Sequence, residues 1–141
     1  MNAKQFNTFR KLESWWQIHE GFGLSFFFCT NQSLVDSLAQ AVQTEIAQLS
    51  ELKFIKGDLE IDLSRSAPRT LYWLEPSKSD LYLVLKRLNE SRTALIKKGH
   101  LFLLCVPSDE VGEIDALAPD LWSVRSYVFK DRDDIPDMTV R

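Results

Sequence analysis

A chain of 141 residues can form one domain with a hydrophobic core and is too short for two domains of ordinary size. Hydrophobic residues make up 45% of it and charged residues 26%, which is typical of globular proteins and excludes a disordered or fibrous chain. The formal net charge of −3 gives no general attraction to nucleic acid or to an anionic membrane, so we expect neither as a partner.

The N-terminal residues 1–20 carry large apolar side chains at helical spacing, at Phe6, Phe9, Leu12 and Trp16. This pattern predicts a short helix or arm. In the simpler interpretation the arm packs against the domain. In the alternative, Trp15 and Trp16 belong to a partner-binding surface, because aromatic side chains are enriched in interface hot spots.

Residues 24–29 form an apolar run without alternation, which is typical of a strand covered on both faces. A polar loop follows, and then a predicted helix over residues 33–50. Ser33 followed by Asp36 resembles a capping box at the start of this helix. In a parallel α/β sheet the loop after such a strand lies at the carboxyl edge, where ligands usually bind.

The segment after this helix is ambiguous. Residues 53–56 and 59–63 form either a hairpin or one strand and an extended loop. Asp58, Glu60 and Asp62 alternate along the second part and could bind a divalent cation. We favour an acidic edge strand that discourages aggregation, and we therefore predict no metal site.

A third buried strand is predicted over residues 70–75, ending at Glu75. An acidic residue often stands there in ATPases, but a phosphate-binding loop also needs glycines and a lysine. The loop with Thr30, Asn31 and Ser33 has neither, so we expect no nucleotide hydrolysis and no cofactor. These three residues and Glu75 remain candidates for binding a small ligand, since a helix N-terminus attracts anions.

The clearest pattern in the chain begins with an amphipathic helix over residues 80–98. Gly99 suits the left-handed position after a helix, and residues 100–106 are a continuous apolar strand. A short helix over residues 109–117 and a final strand over 127–129 follow. This order of helix, glycine and buried strand is the second half of a βαβ unit.

The exposed side of this long helix is rich in cations, among them Arg87, Arg92, Lys97 and Lys98. A solvated face is the default interpretation, and a contact patch for an acidic partner is the alternative.

Two cysteines and two histidines are candidates for chemistry. Cys29 and Cys105 both lie in predicted buried strands, which indicates reduced core thiols in a cytoplasmic protein. A nucleophilic Cys29 served by His19 or His100 is the least favoured hypothesis, because an apolar strand end does not stabilise a thiolate. The first residues lack the features of a signal peptide, and no apolar run approaches the roughly 20 residues of a membrane span.

Two strings in the second half of the chain carry a family resemblance. Residues 88–92 read LNESR, and residues 118–126 read APDLWSVRS and lead into Val128 and Phe129. Together they resemble the "LNxxR" helix and the closing "APD-[LF]-W-x-x-R-S-x-x-F" segment of a module in bacterial STAND-type (NACHT-like) signalling ATPases and tetratricopeptide-repeat proteins. The similar part runs from Leu71 to Phe129. The resemblance implies a degenerate Rossmann-like or P-loop-like unit without an intact phosphate loop, and a role in sensing or recruitment, often in anti-phage defence.

The sequence as a whole predicts a single α/β domain over residues 21–129, with an N-terminal arm at 1–20 and a charged tail at 130–141. We expect a three-layer sandwich with a mostly parallel sheet of four or five strands, Rossmann-like or degenerate P-loop-like.

The favoured function is a non-catalytic protein-interaction or adaptor module that works with a signalling or defence protein, with self-association as a further possibility. Contact would use Trp15 and Trp16, the basic face with Arg87 and Arg92, or an exposed sheet edge. The alternative is a small-ligand or nucleotide sensor that binds through Thr30, Asn31, Ser33 and Glu75. For it we expect a pocket at the strand ends.

Overall fold

Five strands and six helices alternate along the part of the chain that the computed structural model describes, which is residues 3–57, 69–77, 79–107, 114–123, 125 and 127–130. In chain order they are α1 (Ala3–Ile18), β1 (Gly23–Phe28), α2 (Gln32–Ile46), β2 (Lys53–Gly57), β3 (Thr70–Leu74), α3 (Leu81–Glu90), α4 (Arg92–Lys98), β4 (Leu101–Val106), α5 (Ile114–Leu117), α6 (Pro119–Ser123) and β5 (Tyr127–Lys130).

The five strands form one sheet in the order β2-β3-β4-β1-β5, and every described strand pair is parallel. All residues of β1, β3 and β4 are buried, as their uninterrupted apolar runs predict. Helices cover both faces. The predicted α/β sandwich with a parallel sheet is therefore confirmed, and its architecture is Rossmann-like.

The two helical layers belong to two separate halves of the core. On one face, α1 and α2 pack against the odd-numbered residues of β1 and β4, such as Phe27 and Leu103. On the other face, α3 to α6 pack against the even-numbered residues, such as Phe26 and Phe102. This division follows from the two-residue period of a strand, which sends successive side chains to opposite faces.

The N-terminal helix α1 is part of the first layer. Trp15 and Trp16 are each only 2% exposed. The Trp15 ring lies 6.3 Å from that of Phe129, and the Trp16 ring meets Phe9 edge-on at 6.1 Å. The hypothesis that these two tryptophans form a surface for a partner requires exposure that they do not have, because the helix buries them against the sheet. Packing, the simpler interpretation, is what the structure shows.

Several predicted helix ends shift. The N-cap of α2 is Asn31, whose Oδ1 accepts from the backbone N–H of Leu34 at 3.2 Å, so the capping box at Ser33 is wrong. The long helix over 80–98 is divided at Ser91 into α3 and α4. Gly99 has φ 72° and ends α4 in the left-handed conformation, as predicted.

Two residues of the 118–126 segment, Trp122 and Arg125, pack against each other and the sheet. Pro119 is the first residue of α6, and the Trp122 ring lies on the sheet, 5.1 Å from Phe26. The Arg125 guanidinium stacks over the same ring at 4.0 Å and donates to the Trp122 carbonyl at 2.8 Å. These contacts give Trp122 and Arg125 a packing role.

One arginine ties together the connections at the amino edge of the sheet. Arg69 donates from Nη2 to the carbonyl oxygens of His19 at 2.7 Å and Gly21 at 2.9 Å, and from Nε to that of Gly99 at 3.3 Å. The α1–β1 and α4–β4 connections therefore meet on a single guanidinium. Gly21, with φ 72°, supplies the turn between α1 and β1.

Some predictions fall on other parts of the chain. The acidic residues Asp58, Glu60 and Asp62, the strand over 59–63 and the tail beyond Lys130 lie outside the described residues. Within the described residues, no helix has both the length and the apolar character needed to span a membrane.

Candidate functional site at the carboxyl edge of the sheet

The chain leaves the carboxyl ends of β1 and β4, which are neighbours, toward opposite faces of the sheet. The connection after β1 leads to α2 on one face, and the connection after β4 leads to α5 on the other. Such a divergence opens a crevice where ligands bind in open α/β sheets. Asn31 follows β1 at this edge, and Glu75 follows β3, which is separated from β1 by β4.

Four side chains meet at this edge, and we call them the Glu75 network: Gln32, Asp36, Lys56 and Glu75. Gln32 Nε2 donates to Glu75 Oε1 at 2.9 Å and to Asp36 Oδ1 at 2.8 Å. Lys56 Nζ lies 3.1 Å from Glu75 Oε2 and 3.7 Å from Asp36 Oδ1. The network links α2, the edge strand β2 and the end of β3.

The charges of the Glu75 network do not favour an anion. Two carboxylates share one ammonium, and the contact with Glu75 raises the pKa of Lys56 above its ordinary value. The side chain of Glu75 is only 16% exposed. Its buried Oε2 lies close to the Lys56 ammonium but accepts no hydrogen bond from a described residue. Lys56 and Asp36 have side chains 47% and 56% exposed, so the outer part of the network presents both an ammonium and a carboxylate.

The residues predicted for ligand binding lie at this edge, with altered roles. Thr30 and Ser33 are exposed, and Asn31 uses its carboxamide oxygen to cap α2. The predicted loop and Glu75 are brought together, but the contact between them is made by Gln32. Sequence reasoning missed Gln32, Asp36 and Lys56, because no local spacing relates α2 to the end of β2.

Both cysteines are buried at the same edge, on the α1–α2 face, and neither forms a disulfide. Burial raises the pKa of the Cys105 thiol well above its ordinary value, and the nearby Glu75 carboxylate and Cys29 add to the shift. The Cys29 thiol donates to the Asn31 carbonyl oxygen at 3.5 Å. Cys105 is therefore a protonated core thiol at neutral pH, not a nucleophile.

Both histidines lie at the opposite, amino edge. Gly23, the first residue of β1, pairs with Leu101, so about six residues of extended chain, roughly 20 Å, separate the level of His100 from Cys29, and His100 cannot serve as a base for that thiol. Its Nδ1 accepts from the Thr70 backbone N–H at 3.0 Å, and its ring packs edge-on against Tyr72. His19 Nε2 lies 2.7 Å from the Phe22 carbonyl oxygen.

The buried His100 should make stability depend on pH. Burial lowers the pKa of His100, and the charges of Lys98 and Arg69 lower it further. The unfolded chain therefore binds a proton at His100 more readily than the folded protein does. The contribution of neutral His100 to stability is complete above about pH 6.5. It is lost as the pH falls from there through the folded-state pKa. We expect His100→Gln, measured by urea denaturation between pH 5 and 7.5, to have a smaller loss of stability on acidification than the parent.

An opposite contribution comes from a carboxyl pair between α1 and α2. A hydrogen bond with Glu13 raises the pKa of Glu45 to about 7, burial and the Glu13 charge add to the rise, and Arg10 opposes it. This contribution is complete below Glu45's ordinary pKa and is lost as the pH rises through about 7. The Glu45 contribution is the same in the parent and in His100→Gln, so it cancels when the stabilities of the two proteins are compared at each pH. Equal pH slopes for the two proteins would contradict the assignment to His100. Glu45 lies 13 residues along α2 from Gln32, about 20 Å, and does not belong to the Glu75 network.

The outer side of α3 and α4 is the second candidate, and we call it the α3–α4 face: Tyr82, Leu83, Lys86, Arg87, Ile96 and Lys97. Its three apolar side chains are 39% to 56% exposed. Arg87 is exposed as predicted, whereas Arg92 is half-buried. None of Lys86, Arg87 and Lys97 forms an ion pair with another residue in the described ranges.

Comparison with known proteins assigns neither candidate. Within the described residues, no group of three or more potential ligands could hold a metal ion. No protein-family model matches the chain, and no curated protein matches its sequence.

Proposed function

We propose that this protein is a non-catalytic protein-interaction or adaptor module. The observation that carries the proposal is the α3–α4 face, where large apolar side chains lie exposed beside cations that form no ion pair with any described residue. Single exposed apolar residues are normal on a protein surface. Three of them on one helix pair, beside cations without a partner among the described residues, are what an interface would use.

The carboxyl edge supports the same proposal. Cys105 is held as a thiol, and the Glu75 carboxylate is engaged by Lys56 and Gln32. The polar side chains of the Glu75 network are thus engaged with one another, and the Cys105 thiol is buried beside them. The resemblance of residues 88–92 and 118–126 to modules of STAND-type signalling proteins supports a partner in bacterial signalling or defence.

The test is affinity capture of the tagged full chain from extract of its native cells, together with the variant Leu83→Glu and the matched control Ile18→Glu. Both positions are exposed apolar residues on helices, and Ile18 is 77% exposed at the end of α1. We expect a stoichiometric partner with the parent and with Ile18→Glu, and its loss with Leu83→Glu. A parent chain that is recovered alone, and that is monomeric in size-exclusion chromatography, would overturn the proposal.

A second candidate function is a small-ligand sensor at the carboxyl edge. Its specific support is that the loop with Thr30, Asn31 and Ser33 lies at the same edge as Glu75, where the chain diverges to both faces. Thermal-shift measurements with ATP, inorganic phosphate and a series of primary amines test it. A rise in Tm that Glu75→Gln abolishes would support the sensor, and no shift with any of these probes would reject it.

A further inference from the structure

The exposed residues of α3 form a stripe along the helix axis. Tyr82, Leu83, Lys86, Arg87 and Glu90 recur at three- and four-residue spacing and are all exposed. Leu81, Val84, Leu85 and Leu88 occupy the opposite side and lie in the core. Ile96 and Lys97 are also exposed on α4, beyond the break at Ser91. Along α3, the stripe from Tyr82 to Glu90 is about 12 Å long.

The charge of this stripe is predominantly positive. Lys86, Arg87, Lys97 and Lys98 are exposed, whereas Glu90 is the only carboxylate on the two helices. The whole chain carries −3, so this cationic side stands out against an acidic molecule. A partner with carboxylates at matching positions would be steered toward it and held in register.

A helix face selects the kind of partner. Its backbone N–H and C=O groups are bonded within the helix, so a strand cannot add to it as it would to a sheet edge. Recognition must then use side chains, and a second helix can pack along the α3 part of the stripe over about two turns. Leu83 and Tyr82 would pack between apolar side chains of that helix, with carboxylates on either side reaching Lys86, Arg87 and Lys97.

We propose that the α3–α4 face binds an acidic amphipathic helix of a protein partner. This inference rests on the proposed adaptor function and adds to it the chemistry of the partner. It predicts that binding weakens steeply with ionic strength, because solvent-exposed charge pairs are screened by salt. It also predicts that Lys86→Glu/Arg87→Glu, which reverses two cations, and Leu83→Glu, which removes the apolar contact, both weaken binding of the same partner.

The experiment places a photo-crosslinking residue, p-benzoylphenylalanine, at position 83 of the full chain and, in a control, at position 43. Gln43 is an exposed residue of α2, on the other side of the sheet. Crosslinked peptides from native extract are then identified by mass spectrometry. We expect position 83 alone to yield crosslinks, to peptides in which Asp or Glu flanks apolar residues at three- and four-residue spacing. In parallel, Lys86→Glu/Arg87→Glu should weaken binding of the captured partner at least tenfold.

The outcomes separate the surface from the function. A captured partner that crosslinks only from position 43, or that binds Lys86→Glu/Arg87→Glu as tightly as the parent, overturns the α3–α4 proposal and leaves the adaptor function standing. If no partner crosslinks from position 83 or from position 43, both the α3–α4 proposal and the adaptor function are overturned. Sedimentation with vesicles containing anionic phosphatidylserine completes the test. Binding to vesicles that the double variant loses, without a protein crosslink from position 83, would assign the face to a membrane and overturn the proposal.

Discussion

Replacing Trp16 by alanine should lower the free energy of unfolding by about 3–5 kcal/mol, the usual cost of truncating a buried aromatic side chain. Trp16 is 2% exposed and packs edge-on against Phe9 within the core half formed by α1 and α2. Removing the indole leaves a cavity between a helix and the sheet. Urea denaturation followed by far-UV circular dichroism measures the change.

Ile18→Ala is the matched control on the same helix. Its side chain is 77% exposed, so we expect a change within about 0.5 kcal/mol. If Trp16→Ala were as mild as Ile18→Ala, α1 would not be part of the core. The same reasoning disqualifies alanine replacement of Trp15 and Trp16 as a binding test, because lost binding would then report unfolding.

Replacing Arg69 by methionine should cost about 2–3 kcal/mol, since hydrogen bonds from a charged donor are worth more than neutral ones and three carbonyl acceptors lose their partner together. The side chain of methionine keeps the apolar stem and removes the guanidinium, so the effect isolates the polar contacts. The loss falls on the α1–β1 and α4–β4 connections, which Arg69 joins. Chemical denaturation gives the magnitude.

Arg69→Lys serves as the control that keeps the positive charge. A single ammonium cannot reproduce donors directed at three oxygens on two connections, so we expect an intermediate loss. Hydrogen exchange should become faster at the amino ends of β1 and β4 in Arg69→Met and remain unchanged in α3. A lysine variant as unstable as the methionine variant would mean that the geometry of the donors matters and their charge does not. Full stability of Arg69→Met would refute the role assigned to Arg69.

The central strands of the fold were predictable because burial on both faces leaves a strong mark on a sequence. β1, β3 and β4 each read as an uninterrupted apolar run. The edge strand β2 is less distinct, since three of its five residues are exposed. The break at Ser91 was missed, because the apolar period of α3 continues into α4 and says nothing about a change of backbone conformation.

The candidate site was predictable only in its position. A loop after β1 and an acidic residue after β3 pointed to the carboxyl edge, because parallel strands end there together. The contact between Gln32 and Glu75 spans 43 positions and depends on the strand order, which no local pattern encodes. The role of Arg69 was not predictable for the same reason, since its acceptors at His19 and Gly99 are distant in sequence.

The position of β1 in the sheet has a consequence for biosynthesis. Of the five described strands, β1 is made first and lies between β4 and β5, which are made after the other three. β4 begins 73 residues after β1 ends (101 − 28), which at about 5–20 residues per second amounts to roughly 4–15 s of translation. For that interval the run of Phe26, Phe27 and Phe28 has no strand to pair with. Ribosome-bound chains arrested before residue 101 should therefore recruit chaperones that recognise extended apolar segments, and chains released there should aggregate.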